Sequence, residues 1–350
     1  MSVQINQINF IALLRGIAAV LVMWDHLVGI WLKNNGMQWN VYDFVSAYIT
    51  KPLGIIQDFG WFGVVLFFLI SGYIITYIVQ RETCFMFLVK RLFRIYPPLI
   101  ISIILILIFT EHAYTMKDIL HSSALINYFM IPQNPINGVA WTLVIEMLFY
   151  SSCVIGFSFL KKRPAFFSFG VIAITFLLVT YCREFGDRFF LFVASYSFLP
   201  YLVMGQLLYF FSQKMISCRT FLLLSLLGYF TIMEGVLSIH TVFYAPNSYG
   251  VSFLYAYFIF VLCMLFNHKI KMNAVIQFYS NISYSLYLNH GVLGALILNQ
   301  LVLGQKLPYA LSLLATIAMV SAVSYLSYRF VELPVNKGVR DWLHSRKTKP

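Results

Sequence analysis

The chain has 350 residues, of which 61% are hydrophobic and only 10% charged, and its formal net charge is +12. A water-soluble domain carries about a quarter of its residues charged, so the composition excludes one and points to a polytopic membrane protein. The surplus of Lys and Arg is explained by membrane topology and anionic lipid, and no nucleic-acid partner is needed.

The N-terminal residues lack the basic stretch of a cleavable signal, and the first apolar run is long enough to span a bilayer. Apolar runs separated by polar or Pro/Gly-containing breaks predict ten spans. They lie near residues 9–31, 59–79, 96–111, 139–160, 164–181, 191–211, 220–239, 251–267, 281–300 and 308–329. No internal repeat or low-complexity tract interrupts them. The predicted fold class is therefore all-α, a polytopic helical bundle in the lipid bilayer. Residues 1–335 form a single transmembrane domain and residues 336–350 a short basic tail.

Orientation follows from the cations. With the N-terminus inside, 17 of the 24 Lys and Arg residues fall on the cytoplasmic side, among them Arg81, Lys90, Arg91, Arg94 and the 161–163 cluster. Six fall outside: Lys33, Lys51, Lys117, Arg183, Arg188 and Lys306. Both termini are accordingly expected in the cytoplasm. The five cysteines are dispersed, with no metal-ligand spacing, and read as small apolar fillers.

The first span, INFIALLRGIAAVLVMWDHLVGIWL, carries titratable groups where they are costly. Arg15 and His26 are 11 residues apart, which returns to within about 20° of one helix face and separates them by roughly 16 Å along the axis. One face thus offers a cation near the cytoplasm and an imidazole toward the other side. That suits an elongated anionic ligand with its charged end at Arg15 and its reactive end near His26. A snorkelling arginine and a histidine satisfied by a neighbouring helix fit the same pattern.

Glu146, in VAWTLVIEMLFY, lies at a depth similar to that of His26, so a pairing that orients or charge-stabilises the imidazole is expected. Asp25 faces about 100° away from its neighbour His26. Glu234 reads as a structural hydrogen-bonding group, and His290, near mid-membrane, is as readily structural as functional.

Six blocks in order give the chain a family resemblance. They are Arg15 and His26 in the first helix, GVVLFFLISGYII at 63–75, KRLFRIYPP at 90–98, WTLVIE at 141–146, SYSLYLNH at 283–290 and YRFVELP at 328–334. In this the chain resembles the membrane acyltransferase 3 family, integral-membrane enzymes that modify bacterial surface glycans, although Thr142 stands where serine is commoner. The resemblance implies transfer of an acyl group, usually acetyl, from cytoplasmic acyl-coenzyme A to an acceptor hydroxyl on the opposite side, in the bacterial inner membrane. It implies a catalytic role for His26, with Glu146 as the block's carboxylate, and donor binding by Arg15, Arg91 and Arg94. Acetyl-coenzyme A is then a co-substrate, with no permanently bound cofactor or metal. The acceptor is a glycan, such as an O-antigen, capsule or exopolysaccharide sugar, or a lipid-linked sugar. About twenty residues follow the last span, so the extracytoplasmic esterase-like domain of many relatives is not expected.

The residues agree with that chemistry. Arg91 and Arg94, at i and i+3, share a face if their segment is helical, and with Lys90 and Arg15 they can hold phosphates. Positive-inside anchoring is the competing reading of each. A base to deprotonate the acceptor, or a nucleophile to carry the acyl group, can equally be histidine. Ser71 reads as a packing residue beside Gly72 before an oxyanion donor. The acceptor should approach over residues 31–58, 113–138 and 240–250, where Trp31, Trp39, Tyr42, Trp61 and Tyr244 either stack on sugars or form an interfacial belt. A transporter of a glycan or acyl intermediate is the alternative class, and it normally shows a repeat or interrupted helices. A non-enzymatic scaffold, or a glycosyltransferase with large external loops, accounts less well for Arg15 and His26.

Overall fold

The computed structural model describes residues 9–240 and 245–347. Residues 1–8, Tyr244 and Lys349, which entered the topology and acceptor-surface expectations, lie outside the described residues. The structure is all-helical, with 81% helix and no strand among the described residues. The principal helices are α1 (Asn9–Asn34), α2 (Gln57–Val79), α3 (Cys84–Phe109), α4 (Trp141–Ile155), α5 (Pro164–Thr180), α6 (Asp187–Ser212), α7 (Cys218–His240), α8 (Pro246–Leu265), α9 (Ala274–Asn289), α10 (Val292–Gly304) and α11 (Tyr309–Arg346).

Seven of these helices are long and apolar enough to cross a membrane, and an eighth is added if α9 and α10 form one bent span. Helices α4 and α5 stand where two further spans were expected. With 15 and 17 residues they fall short of the length, about 20 residues, that a full crossing needs. Gly156 ends α4, and Pro164 opens α5 at a first-turn position that suits proline.

Three boundaries differ from the sequence expectation. Helix α3 begins at Cys84, not near residue 96, because the Thr83 side chain caps it by accepting from the Met86 amide. Arg91 and Arg94 therefore ride inside a 26-residue helix instead of preceding it. The expected span at 281–300 is broken by 75° between Asn289 and Val292. Lastly, α11 continues through a π-helical turn, Tyr328–Glu332, into the supposed tail, which packs against α3 and buries Leu343 to 2% exposure.

Helix α2 forms the centre, packed by α1, α6 and α8. Its sequence is apolar on nearly every side, the pattern of a helix with no solvent-facing stripe. Helices α2 and α6 approach backbone to backbone. A Cβ on Gly72 would collide with the Leu202 carbonyl, and one on Gly205 with that of Leu69. This reciprocal small-residue contact closes the seam. It also turns Ser71, the neighbour of Gly72, toward the other side, where a cavity begins. Helix α1 lies between α2 and α9, so its residues reach that cavity from one flank.

Candidate active site

Arg15 on α1 meets Arg91 and Arg94 on α3 at the neck between two cavities. An inner cavity of about 80 Å³ is walled by Ser71, Thr142, Glu146, Tyr150, Tyr284 and Tyr287. An outer one of about 320 Å³ is lined by polar groups including Glu82, Lys90, Gln277, Asn281, Glu332 and Arg340. Arg15, Ile74, Arg91, Arg94 and Ser283 border both. The i, i+3 spacing of Arg91 and Arg94 has the consequence expected of it.

The neck has surplus positive charge. Among the described residues only Lys90–Glu82 and Arg340–Asp341 form ion pairs, so none of the three arginines has a carboxylate within pairing distance. Arg91 is 8% exposed, and its Nε has no hydrogen-bond partner. Glu332 and Glu146 act on Arg15 and Arg94 from farther off. Buried unpaired guanidinium groups are costly. Such a cost is offset when an anion occupies the space they face.

Glu146 belongs to this neck, not to His26. Its Oε1 accepts from Ser71 Oγ at 2.6 Å and its Oε2 from Tyr150 OH at 2.9 Å. The expected Glu146–His26 contact is not among the hydrogen bonds of the described residues. Equal depth on two helices does not fix which way the side chains turn, and the field of the arginines favours the carboxylate on their side.

His26 sits in a π-helical turn, Asp25–Ile30, near the far end of α1. Turns of this kind recur at functional sites because the extra residue re-aims a side chain. Its Nδ1 lies 3.0 Å from the Val22 carbonyl and 3.3 Å from Nε2 of His290. The two rings stand edge to face, 4.7 Å apart at 89°. His290 is at the corner where α9 breaks, and its ring is 5.5 Å from that of Tyr287. Tyr287 in turn borders the inner cavity, where its hydroxyl receives a 3.0 Å hydrogen bond from Thr142. Tyr287 and His290 thus bridge the arginine neck and His26.

Over residues 8–329, nearly the whole chain, the sequence matches the family model described as an acyltransferase domain. The chain belongs to the acyltransferase 3 family. It is a membrane acyltransferase. No curated protein and no solved structure matches it.

The structure of this acyltransferase adds Tyr150, Tyr287 and Glu332, which the sequence did not single out. It also gives His290, left open between a structural and a functional role, a place beside His26. Tyr150 is four residues after Glu146, a spacing that puts both on one helical face. Tyr287 and His290 are three apart in the SYSLYLNH block and share a face in the same way. Glu332, in YRFVELP, is 7% exposed and accepts from Ser285 Oγ at 3.1 Å. An intramembrane glutamate in a quoted block was signal enough to single it out. Glu234 accepts from Ser238 at 2.9 Å within its own helix, in line with a structural role.

The proposed sugar-stacking surface shrinks. Trp31 and Trp61 are 3% and 4% exposed, so neither ring is free. Trp31 stacks on Tyr309 and donates to Asn299, and Trp61 packs among Phe198, Tyr201 and Tyr249. Trp39 lies against Trp24 and Tyr309, and Tyr42 donates to Asp58 at 3.0 Å. Burial of apolar area accounts for the two tryptophans better than an interfacial belt does.

Proposed function

We propose that this acyltransferase moves an acyl group, acetyl in the simplest case, from cytoplasmic acyl-coenzyme A to a hydroxyl of an extracytoplasmic glycan or lipid-linked sugar, in the bacterial inner membrane. The observation that carries this reading is the neck of three unpaired arginines between a polar outer cavity and a narrow inner one. Coenzyme A has a polyanionic head and a thin pantetheine arm. Guanidinium forks bind phosphate bidentately, and the arm fits a passage too narrow for the head. The 17-to-6 charge bias supports a cytoplasmic origin for the donor, with α4 and α5 counted as short spans in a ten-span topology.

In this reading His26 acts on the acyl group beyond Tyr287. By the direct route the acceptor hydroxyl gives its proton to His26 while its oxygen bonds to the thioester carbon. The carbon–sulfur bond then breaks, and the departing thiolate takes the proton from the imidazole. By the covalent route His26 bonds the acyl carbon as the carbon–sulfur bond breaks and coenzyme A leaves as its thiolate. The acceptor oxygen then bonds that carbon, the carbon–nitrogen bond to His26 breaks, and the acceptor's proton passes to the thiolate.

Titration of acetyl-coenzyme A into purified protein in nanodiscs tests the donor assignment. The Arg91→Ala/Arg94→Ala protein should bind at least about tenfold more weakly. Unchanged affinity would return both residues to membrane anchoring. One observation favours a transporter, namely the 75° break between α9 and α10, since discontinuous helices line substrate sites in transporters. Movement of substrate across a vesicle membrane without acyl-coenzyme A would establish that alternative.

A further inference from the structure

We propose that His290 is a positioning residue for His26, holding its imidazole in the Nδ1–H tautomer so that Nε2 is the free basic nitrogen. The inference rests on the acyl-transfer reading for its purpose, but its geometry stands apart from that reading. Both rings lie along their own helices with Nδ1 3.0 Å from the carbonyl four residues earlier, Val22 for His26 and Leu286 for His290. A carbonyl oxygen only accepts, so each Nδ1 carries the hydrogen. A neutral imidazole then has its lone pair on Nε2.

The contact between the rings completes the assignment. His290 Nε2 is 3.3 Å from His26 Nδ1 with the planes at 89°, so the lone pair of His290 meets the N–H of His26. That hydrogen is shared between Val22 O and His290 Nε2. The reverse arrangement, His290 Nε2–H donating to a bare His26 Nδ1, would set two nitrogen lone pairs against two carbonyl oxygens. Only one tautomer pair satisfies all four groups.

His290 is itself fixed. It is 1% exposed. Asn137 and Ser102 both donate to the Leu288 carbonyl just before the helix break, at 2.9 and 3.0 Å. Gly291 follows, where a Cβ would collide with Val139 Cγ1 at 2.8 Å and touch His26 Cδ2 at 3.9 Å, so the corner is closely packed beside the His26 ring. The second imidazole thereby takes the orienting role that the sequence suggested for Glu146. It is a neutral acceptor, and no bond to it is made or broken in the transfer. When His26 receives the acceptor's proton on Nε2 it becomes an imidazolium with two N–H groups. His290 Nε2 then accepts from the one on Nδ1, which stabilises that ion and holds Nε2 toward the reactants.

The direct test is 15N spectroscopy of the unmodified protein labelled at histidine and held in nanodiscs. His26 and His290 should each show a protonated Nδ1 and a bare Nε2. An Nε2–H tautomer at either ring would overturn the proposal. Two variants read the role in catalysis. His290→Phe keeps an aromatic ring but no acceptor, and should lower turnover about 10²-fold while the KM for acetyl-coenzyme A stays within about twofold. His290→Gln keeps an acceptor and should recover about tenfold of that loss. Full turnover in the His290→Phe protein, or equal losses in both variants, would overturn it. Absence of acyl transfer by the unmodified protein would instead sink the acyl-transfer reading and leave the tautomer result standing. A fully active His26→Ala protein would remove His26, and with it the positioning role of His290, from the chemistry.

Discussion

Arg15 and His26 share one helix, yet their surroundings have little in common. Around Arg15 lie two more arginines, two cavities and carboxylates too distant to pair. Around His26 lie a second histidine, a glycine and a backbone carbonyl, and it borders neither cavity of the neck. One end is charged, open and unsatisfied, while the other is compact and satisfied through a single shared hydrogen. A long molecule bound by its anionic head at the first end would present its other end to the second. The contrast separates holding a donor from reacting with it, and substitutions at the two ends should fail in different ways.

The largest effect is expected at the His26 end. In the His26→Ala protein, turnover should fall by about 10³-fold or more with donor affinity unchanged, read from acyl transfer and acetyl-coenzyme A titration on one preparation. A matching loss of donor affinity would erase the distinction between the ends. Next comes Arg91→Ala/Arg94→Ala, for which donor affinity should drop about 10- to 100-fold in the same titration, since each lost charge-assisted bond costs about 1.5–3 kcal/mol and the two overlap. Arg15→Lys keeps the charge but not the fork, so about a fivefold loss is expected, with Arg15→Ala weaker still. The smallest effect belongs to Glu146→Gln. Removing a carboxylate whose field reaches all three arginines should tighten donor binding about threefold, and weakened binding would show that its hydrogen bonds to Ser71 and Tyr150 matter more than its charge.

Helical class and the order of the apolar helices were legible because apolar runs and their breaks are one-dimensional signals. The three arginines were legible as a cluster for a similar reason, since i, i+3 spacing on α3 and a lone intramembrane cation on α1 leave few other arrangements. What failed needed a second coordinate. Thr83 caps α3 about two turns before Lys90, and hydropathy alone assigns a start interrupted by Lys90, Arg91 and Arg94 to a loop. The corner at His290 and Gly291 lies inside a run that hydropathy reads as continuous. The Glu146 pairing was inferred from depth, and depth says nothing about rotation about the helix axis. With rotation included, Glu146 goes to Ser71 and Tyr150 and His26 goes to His290.

The division between the two ends of α1 is tested most directly by measuring acetyl-coenzyme A affinity and single-turnover acyl-transfer rate together, for Arg15→Ala and His26→Ala proteins reconstituted in identical nanodiscs. The expected pattern is crossed. Arg15→Ala loses affinity and, at saturating donor, keeps most of its rate, while His26→Ala keeps its affinity and loses its rate. Parallel losses of both quantities in both proteins would contradict the account.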